Sequence, residues 1–306
     1  MKAWVMTAVG GPEVYAIMDM PVPEPGEGEV QIQVDGAGLN PSDWKAREGI
    51  FNKPKEFPAI ALREFSGTIS KLGPNVEGYE VGQGVYGLSK SGVGAAAEFT
   101  VAKAAHIAPR PSSMDPADAA LIPQGGMTAW QALFDHGNLE SGQRVLVHGA
   151  AGGVGLYAVQ LAKWKGAYVI GTASADHHPV LRELFVDELV DYRTQKFEEV
   201  VHDVDLVLHS IAPDQVPNSL KTLKTGGRLV AISADPMADE AKAQGKTAVS
   251  FSMEPSTAQL RKLSDLIEDL KVRPVVDTIV HLERATEAMN ELQKGHTLGK
   301  IGVRIR

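Results

Sequence analysis

A glycine-rich turn is the feature of this 306-residue sequence whose residue types most directly permit chemistry. The apolar run 144–148 leads into Ala150-x-Gly152-x-x-Gly155, and an apolar helical pattern follows at once over 156–164. Positions without large side chains let a diphosphate approach the backbone, and the N–H groups of a helix N-terminus bind its negative charge. The strand–turn–helix context predicts a dinucleotide-binding turn. The alternative is a tight glycine turn that binds no ligand.

The end of the next predicted strand indicates which dinucleotide is bound. An acidic residue there would bind the adenosine ribose 2′-hydroxyl and repel a 2′-phosphate. The end of this strand lies within 169–175 (VIGTASA), and no carboxylate occurs before Asp176. No lysine or arginine stands at this strand end to neutralise a phosphate. Because no carboxylate is present to repel a 2′-phosphate, we predict NADPH as the cofactor, with NADH as the less favoured alternative.

Residues at the carboxyl ends of parallel strands are expected to surround the dinucleotide. Ser174 and His177 are predicted to donate hydrogen bonds, and Tyr192 to flank the adenine. His177 alternatively lies at a solvated helix start. Thr128 is predicted to begin a helix that faces the cofactor. Lys300 is predicted to reach the cofactor, and the alternative is that it is a surface lysine. The predicted cofactor-binding residues are Thr128, Ala151, Gly152, Gly153, Val154, Ser174, His177, Tyr192, Ser210, Ile211, Ser233 and Lys300.

Helices and strands alternate in the middle of the chain, which predicts an α/β fold with a doubly wound parallel sheet. The predicted strands are short and apolar because helices cover both faces of such a sheet. They lie at 144–148, 167–171, 188–190, 205–208 and 228–232. The predicted helices lie at 115–121, 128–136, 152–164, 179–184 and 216–223.

The two ends of the chain have a different pattern. Residues 30–34 alternate apolar and polar side chains, and many prolines and glycines surround them, which predicts a strongly curved β domain. The last fifty residues predict a helix over 256–270 capped by Ser256, a strand over 275–280, a helix over 283–294 and a strand over 300–305. We predict a first domain over 1–121, completed by 254–306, and a second domain over 122–253.

Composition excludes several classes of function. The formal net charge of −8 argues against the basic face that binds nucleic acid or anionic lipid. The absence of cysteine excludes disulfides, thiolate metal sites and cysteine nucleophiles. No apolar run approaches the ~18 residues that span a membrane. We expect a cytoplasmic protein whose partners include neither nucleic acid nor a membrane.

Six short motifs in a fixed order resemble the quinone oxidoreductase branch of the medium-chain dehydrogenase/reductase superfamily, and the resemblance covers nearly all 306 residues. It implies a GroES-like, β-rich catalytic domain plus a Rossmann domain. It also implies hydride transfer between a nicotinamide cofactor and a small molecule. The motifs are 37–43 (AGLNPSD), 64–67 (EFSG), 81–87 (VGQGVYG), 128–130 (TAW), 150–155 (AAGGVG) and 295–301 (GHTLGKI).

The same resemblance predicts that the protein binds no zinc. Zinc alcohol dehydrogenases of this superfamily carry a catalytic cysteine where this sequence has Asn40, and a histidine where it has Arg63. An amide and a guanidinium do not supply the thiolate or imidazole donors that zinc prefers. The nine histidines are scattered without metal-ligand spacing. We predict no zinc and no other metal site.

Without a metal, catalysis requires that the two reacting rings are held together, that water is excluded, and that the acceptor oxygen receives hydrogen bonds. Asn40 and Arg63 are the predicted catalytic residues, with Asn40 near the nicotinamide or the acceptor oxygen and Arg63 beside a developing oxyanion. Alternatively, Asn40 is a turn residue, and Arg63 pairs with Asp43 or Glu64 to hold the local structure.

Trp44 and Phe51 are predicted to line the substrate pocket, although an aromatic residue beside a turn is often part of the core. We predict an NADPH-dependent reductase of a quinone. The alternatives are an enoyl or 2-alkenal reductase, whose substrate is an enone or enal, and a dinucleotide-binding protein without turnover. Residues 249–253 predict one more strand, which either closes the sheet or pairs with a second subunit of a homodimer.

Overall fold

The computed structural model describes residues 1–232 and 234–306. The strands in these ranges are β1 (Lys2–Met6), β2 (Tyr15–Asp19), β3 (Glu29–Gly38), β4 (Ala59–Ile60), β5 (Glu64–Leu72), β6 (Gly84–Leu88), β7 (Phe99–Lys103), β8 (Ile107–Pro109), β9 (Arg144–Val147), β10 (Tyr168–Ala173), β11 (Glu188–Asp191), β12 (Val204–His209), β13 (Leu223–Ala231), β14 (Thr247–Ser250), β15 (Val276–His281) and β16 (Lys300–Arg304). The helices are α1 (Pro41–Arg47), α2 (Pro116–Ala119), α3 (Pro123–Trp130), α4 (Gly155–Lys165), α5 (His178–Glu183), α6 (Phe197–Val200), α7 (Val216–Thr222), α8 (Ala238–Ala243), α9 (Thr257–Glu268) and α10 (Ala285–Lys294).

The chain divides into two units. Unit 1 contains residues 1–124, 255–270 and 274–306, and unit 2 contains residues 125–254 and 271–273. The predicted first domain includes the short segment 271–273, which the structure places in unit 2. It packs with unit 2 because the Gln160 side chain accepts from the Arg273 N–H at 2.9 Å and donates to the Arg273 carbonyl at 3.0 Å.

Unit 1 is built mainly from β-strands. A three-stranded sheet has the order β2-β1-β4, and a larger sheet has the order β15-β16-β3-β5-β6-β8, with β7 also paired to β3. The pairs in these two sheets are antiparallel, except that β15 and β16 run parallel. The core between the elements of unit 1 is formed by buried side chains such as Trp4, Ile32, Phe65 and Met289.

Unit 2 is built around one six-stranded sheet with the order β11-β10-β9-β12-β13-β14. All of its strand pairs are parallel. This arrangement confirms the predicted doubly wound parallel sheet. The strand order reverses between β9 and β12, and dinucleotides bind at the carboxyl ends of the strands on either side of such a reversal.

Helix ends follow the capping signals of the sequence. Ser256 caps α9 as predicted, because its hydroxyl oxygen accepts from the Gln259 N–H at 3.3 Å. The carboxyl end of α4 is closed by Gly166, which has the left-handed conformation (φ +86°) that favours glycine at this position. No helix in the described ranges is long and apolar enough to cross a membrane.

The bounds of several predicted elements differ in the structure, and two of the differences have a local cause. The helix expected over 128–136 begins earlier as α3, with Pro123 in its first turn, and continues as a π-helical segment, Gln131–Asp135. The strand expected over 249–253 is β14, which ends at Ser250. It closes the sheet beside β13, and it ends there because Ser250 pairs with Ala231, the last residue of β13.

Candidate functional site

The glycine turn connects β9 to α4, and two glycines determine its backbone geometry. Gly149 has a φ of +58°, a left-handed conformation that favours glycine. A Cβ on Gly155 would lie 2.1 Å from the carbonyl oxygen of Gly149, so a side chain cannot fit there. The Gly152 N–H donates to the same carbonyl oxygen at 2.9 Å. The chain therefore folds back closely before α4 begins.

Three backbone N–H groups of this turn are available to a ligand. Those of Ala151, Gly153 and Val154 donate to no acceptor within the described residues. Val154 is the N-cap of α4, an eleven-residue helix whose N-terminus carries partial positive charge. Unpaired N–H groups at such a terminus bind phosphate groups. The turn thus fits the diphosphate of a dinucleotide, and the predicted residues Ala151, Gly152, Gly153 and Val154 form it.

Other predicted cofactor residues lie at neighbouring strand ends of the same sheet. Ser174 is buried directly after β10, and Ser210 and Ile211 follow β12. Because the strands are parallel, these ends share the edge at which the glycine turn lies. The Ser210 hydroxyl donates to the His148 carbonyl at 2.7 Å, so this hydroxyl can only accept a hydrogen bond from a ligand.

An arginine that the sequence analysis did not select lies beside the end of β10. Arg193 Nη1 is 3.0 Å from Asp176 Oδ2, and both side chains are largely exposed. The ion pair raises the pKa of Arg193. Arg193 follows β11, which pairs with β10 so that Asp191 lies opposite Ala173. The sequence has no lysine or arginine at this strand end itself, but the structure brings the guanidinium group of Arg193 close to it from the neighbouring strand. The signal was present in the strand order of a doubly wound sheet, which places the third strand beside the second.

The remaining predicted residues of unit 2 have mixed outcomes. His177 is half-buried in the turn before α5, and Tyr192 is 52% exposed after β11. Thr128 is buried in the middle of α3, so the prediction that it begins a helix is wrong. Ser233 lies outside the described residues.

A buried polar cluster occupies the start of α1 in unit 1. Asn40 is the N-cap of α1, and its backbone N–H donates to Asp43 Oδ2 at 2.8 Å. Its Nδ2 donates to Glu64 Oε1 at 2.7 Å, and its Oδ1 accepts from Lys300 Nζ at 2.6 Å. Asn40 therefore caps α1 at the residue before Pro41, where its alternative interpretation expected a turn residue. The second hydrogen on Nδ2 forms no hydrogen bond with any described residue.

Lys300 lies in the interior of unit 1, so its alternative interpretation as a surface lysine is wrong, and its contact with the cofactor stays a prediction. This side chain is buried, and its ammonium group donates to the Leu39 carbonyl at 3.0 Å, to Asn40 Oδ1 and to Glu64 Oε1. An ammonium group has three hydrogens, and all three are used within unit 1. Glu64, which was one of the two predicted partners of Arg63, forms its ion pair with Lys300 instead.

Arg63 has an exposed side chain and forms no ion pair with Asp43 or Glu64 among the described residues. Its positive charge nevertheless acts on Asp43. Burial raises the pKa of Asp43 to about 7, the hydrogen bond from the Asn40 N–H opposes this, Glu64 adds to it, and the charges of Lys300 and Arg63 oppose it. The cluster therefore contains a carboxyl group that titrates near neutral pH.

The two predicted pocket aromatics differ in burial. Trp44 lies on α1 and packs, partly buried, against the core of unit 1. Phe51 lies beyond α1 and is 46% exposed. Trp44 therefore has the core packing named as its alternative, and the role of both residues in binding a substrate stays a prediction.

Two family models match the chain. One describes the alcohol dehydrogenase GroES-like domain and matches residues 26–112, and the other describes a zinc-binding dehydrogenase and matches residues 184–303. Together with the doubly wound sheet and the glycine turn, they define an oxidoreductase of the medium-chain dehydrogenase/reductase superfamily. The predicted fold class, a GroES-like domain plus a Rossmann domain, is confirmed.

Similar proteins define the branch. The chain is 32% identical over 317 residues to a chloroplast envelope quinone oxidoreductase homolog of Arabidopsis thaliana, covering 95% of this chain and 94% of that protein. The structure of a quinone oxidoreductase from Coxiella burnetii superposes with a TM-score of 0.94 at 30% identity, covering 100% of this chain and 99% of that one. An NADPH-dependent alkenal/one oxidoreductase of Arabidopsis thaliana is 31% identical, over 99% of this chain and 79% of that protein. The chain belongs to the quinone oxidoreductase branch of the superfamily.

Proposed function

We propose that the protein is an NADPH-dependent, zinc-independent reductase that transfers hydride to a quinone. The observation that carries the proposal is the glycine turn, whose three N–H groups without an acceptor in 1–232 and 234–306 lie where the strand order of unit 2 reverses. The relatives named as quinone oxidoreductases support the choice of acceptor. When bound, the nicotinamide would supply the hydride, and the protein would supply binding, orientation and hydrogen bonds.

The preference for NADPH is supported by the charges at the outer strand ends. No carboxylate ends β10, so no acidic group at that position would repel the 2′-phosphate of NADPH. Arg193 offers a guanidinium group beside this end, and guanidinium binds phosphate oxygens in a bidentate manner. Asp176 holds that group in the absence of a phosphate, and we propose that the 2′-phosphate replaces Asp176 as its partner.

The proposed independence from zinc is supported by the donor set around Asn40. The Lys300 ammonium group already lies among the Leu39 carbonyl, Asn40 Oδ1 and Glu64 Oε1, and its charge disfavours a divalent cation there. Within 1–232 and 234–306, no group of three histidine, aspartate or glutamate side chains is arranged to hold a metal ion. Zinc also prefers imidazole or thiolate ligands, and the donors around the Lys300 ammonium group are a carbonyl, an amide and a carboxylate.

We propose two catalytic residues in unit 1. The free Nδ2 hydrogen of Asn40 would donate to the oxygen of the acceptor, and Glu64 and Lys300 hold the amide in one orientation. The exposed guanidinium group of Arg63 would stabilise negative charge that develops on that oxygen. The proton that completes reduction can come from water, since a hydroquinone oxygen needs no positioned strong acid.

Titration of the purified protein with NADPH and NADH, followed by nicotinamide fluorescence, tests cofactor binding. The bound cofactor is then mixed with a panel of quinones and enals. We expect tighter binding of NADPH and oxidation by quinones. Gly155→Ala is expected to abolish binding, because its Cβ would collide with the turn. The proposal is wrong if NADPH does not bind, or if it binds and no quinone oxidises it.

Arg193→Ala tests the cofactor preference, with Arg182→Ala on α5 as the matched control, since both remove one exposed arginine from unit 2. We expect Arg193→Ala to weaken NADPH binding about tenfold and to leave NADH binding unchanged. Asp176→Asn should strengthen NADPH binding because it removes the competing carboxylate. An equal loss of affinity for both cofactors in Arg193→Ala would contradict the proposed role.

Reduction of an enal or enone is the second candidate function. The 31% identical alkenal/one oxidoreductase favours it, because the resemblance extends over 99% of this chain. It predicts turnover of enals with a proton delivered to carbon. The acceptor panel separates the two candidates directly, since only this one predicts oxidation of bound NADPH by enals in the absence of quinones.

We also propose that the protein is a homodimer. Strand β14 is the last strand of its sheet, and within the described residues its outer edge pairs with no other strand. An unpaired edge strand can pair with the same strand of a second copy. Sedimentation equilibrium tests the proposal, and a mass that stays at 32.7 kDa at micromolar concentration would contradict it.

A further inference from the structure

Two buried histidines that the proposed chemistry does not use lie at strand ends in unit 2. His148 follows β9 and His209 ends β12, and neither has measurable exposure. His148 Nδ1 is 3.1 Å from Thr172 Oγ1, and His148 Nε2 is 3.0 Å from Ser219 Oγ. The same Ser219 hydroxyl, on α7, is 3.0 Å from His209 Nδ1. One serine therefore connects the two imidazole rings.

The direction of each hydrogen bond in this set follows from the group at its far end. His209 Nε2 is 3.3 Å from the Ala212 carbonyl oxygen, which can only accept, so His209 Nε2 carries the hydrogen. In the neutral ring, His209 Nδ1 is then an acceptor, and the Ser219 hydroxyl donates to it. Ser219 Oγ has no second hydrogen, so His148 Nε2 must donate to Ser219.

The same reasoning extends to the glycine turn. With the hydrogen on Nε2, His148 Nδ1 accepts from the Thr172 hydroxyl, and Thr172 Oγ1 accepts from the Gly149 N–H at 3.2 Å. The bonds thus form one directed chain from the backbone of the glycine turn to the backbone carbonyl of Ala212. Each hydroxyl and each ring both donates and accepts, an arrangement in which successive bonds strengthen one another.

Both imidazole rings must stay neutral for this chain to exist. A protonated ring has an N–H group at Nδ1, which would face the hydrogen of Thr172 or Ser219. The surroundings favour the neutral form, because burial lowers the pKa of His148 to about 3 and also lowers the pKa of His209. His148 packs edge-on against the Phe197 ring at 4.5 Å, and Asp214 opposes the effect on His209.

The chain ends on the segments that are proposed to hold the dinucleotide. Gly149 begins the glycine turn, Thr172 lies two residues before Ser174, and Ala212 follows Ile211. A second bond, from Ser210 Oγ to the His148 carbonyl, ties the same two strand ends together. A core position that needed only to be filled would suit an apolar side chain, since a buried polar group is costly unless it is paired.

We propose that Thr172, His148, Ser219 and His209 are positioning residues, which fix the glycine turn and the loop after β12 in the geometry that binds the dinucleotide. The inference rests on the proposed dinucleotide site. The four side chains act through the backbone of Gly149 and Ala212 and need not touch the cofactor. Their replacement should therefore change the affinity for the whole dinucleotide, and not the preference between NADPH and NADH.

The tautomers provide the first test, and this test requires no cofactor. In protein labelled with ¹⁵N-histidine, long-range ¹H–¹⁵N spectra distinguish the two neutral forms and the protonated form. We expect both rings to be Nε2–H tautomers at pH 8, the His148 ring to remain one down to about pH 5, and the signals of both rings to shift in Ser219→Ala. An Nδ1–H form at either ring, or titration of either near pH 6.5, would overturn the proposal.

Dinucleotide affinity provides the second test. Thr172→Val removes the hydroxyl at nearly constant volume, and Thr172→Ser restores it. Thr222→Val is the matched control, because Thr222 is equally buried in unit 2 but donates only to the Ser219 carbonyl within α7. We expect Kd for NADPH and for NADH to rise about tenfold in Thr172→Val and to remain near wild type in Thr172→Ser and Thr222→Val.

Equal Kd values for Thr172→Val and Thr222→Val would show that the chain is only structural and would overturn the positioning role. Circular dichroism at the titration temperature confirms that each variant is folded. Failure of the proposed function has a different signature, since wild-type protein would then bind neither cofactor while its histidine spectrum would still report the two tautomers.

Discussion

Each unit of this protein contains a buried polar network beside a proposed functional site, and the two networks are stabilised in opposite ways. In unit 1, the charged groups of Glu64 and Lys300 are in contact, and the Asn40 amide is bonded to both. In unit 2, His148, Ser219 and His209 form a chain of neutral groups. The first network lies at the proposed catalytic amide, and the second lies behind the proposed cofactor site.

The difference shows what each arrangement can do. A buried ion pair holds its members strongly, because a charge left alone in the interior is very unfavourable. The charges of the pair also act on the pKa of the neighbouring Asp43, which Glu64 raises and Lys300 lowers. A neutral chain of hydroxyls and imidazoles has a direction, so it specifies the tautomer of each ring and the orientation of the backbone groups at its ends. The ionic network fixes one amide, whereas the neutral network connects two loops.

Removal of one charge from the ionic network should have the largest effect on stability. Lys300→Met keeps much of the side-chain volume but leaves Glu64 buried without its cation. We expect the free energy of unfolding to fall by about 3–5 kcal/mol, measured by urea denaturation with tryptophan fluorescence. The double variant Lys300→Met/Glu64→Gln should recover much of the loss, because it removes both charges. A loss below about 1 kcal/mol in the single variant would show that Glu64 is not a buried anion.

Interruption of the neutral chain should cost less. Ser219→Ala leaves His148 Nε2 without its acceptor and His209 Nδ1 without its donor. We expect a loss of about 1–3 kcal/mol in the same denaturation experiment, because the unpaired groups are polar but uncharged. Ser141→Ala, at an exposed position in unit 2, is the control and should change stability by less than about 0.5 kcal/mol. A loss as large as that of Lys300→Met would remove the distinction between the networks.

The sequence predicted those parts of the structure that depend on local patterns. The alternation of apolar strands and helices identified the doubly wound sheet, and the glycine spacing identified the turn before α4. The serine cap of α9 was also evident, since a side-chain cap acts within three residues. Each of these signals lies within a few residues of the structure that it determines.

Both buried networks were missed because their members are distant in sequence. Glu64 and Lys300 are separated by 236 positions, and His148 and Ser219 by 71. Nothing near Lys300 indicates that it is buried, so its surface and cofactor interpretations were the only ones considered. Arg193 was missed for a related reason, because its proximity to Asp176 depends on the pairing of β10 with β11. The last residues of the predicted strand over 249–253 were wrong because the length of the neighbouring strand limits β14.

The two networks should respond to pH with opposite signs. Burial lowers the pKa of His148 to about 3, below its unfolded value near 6.5, so its contribution to stability is complete above pH 6.5 and is lost as the pH falls. Burial raises the pKa of Asp43 from 3.8 to about 7, so its contribution is complete below about pH 4 and is lost as the pH rises towards 7. Each group contributes a slope of about 1.4 kcal/mol per pH unit within its own window.

The measurement is the free energy of unfolding between pH 4 and pH 8 for wild type, His148→Asn and Asp43→Asn. We expect the difference between wild type and His148→Asn to grow in favour of wild type as the pH rises from 4 to 6.5. The difference between wild type and Asp43→Asn should move against wild type as the pH rises from 4 to 7. If both differences change with pH in the same direction, burial does not lower the pKa of His148 and raise the pKa of Asp43 as stated.

The smallest effect is expected from an ion pair that resembles Glu64–Lys300 but is exposed. Lys294 Nζ and Glu291 Oε1 are 2.7 Å apart on α10, and both side chains are more than 60% exposed. Lys294→Met is the same substitution as Lys300→Met, yet we expect a loss of less than about 1 kcal/mol, because water and salt solvate the remaining carboxylate. Denaturation in low salt and in 1 M salt checks the reason, since screening should reduce the small cost of Lys294→Met and leave the cost of Lys300→Met largely unchanged. A similar loss in both variants would mean that distance, and not burial, determines what these lysines contribute.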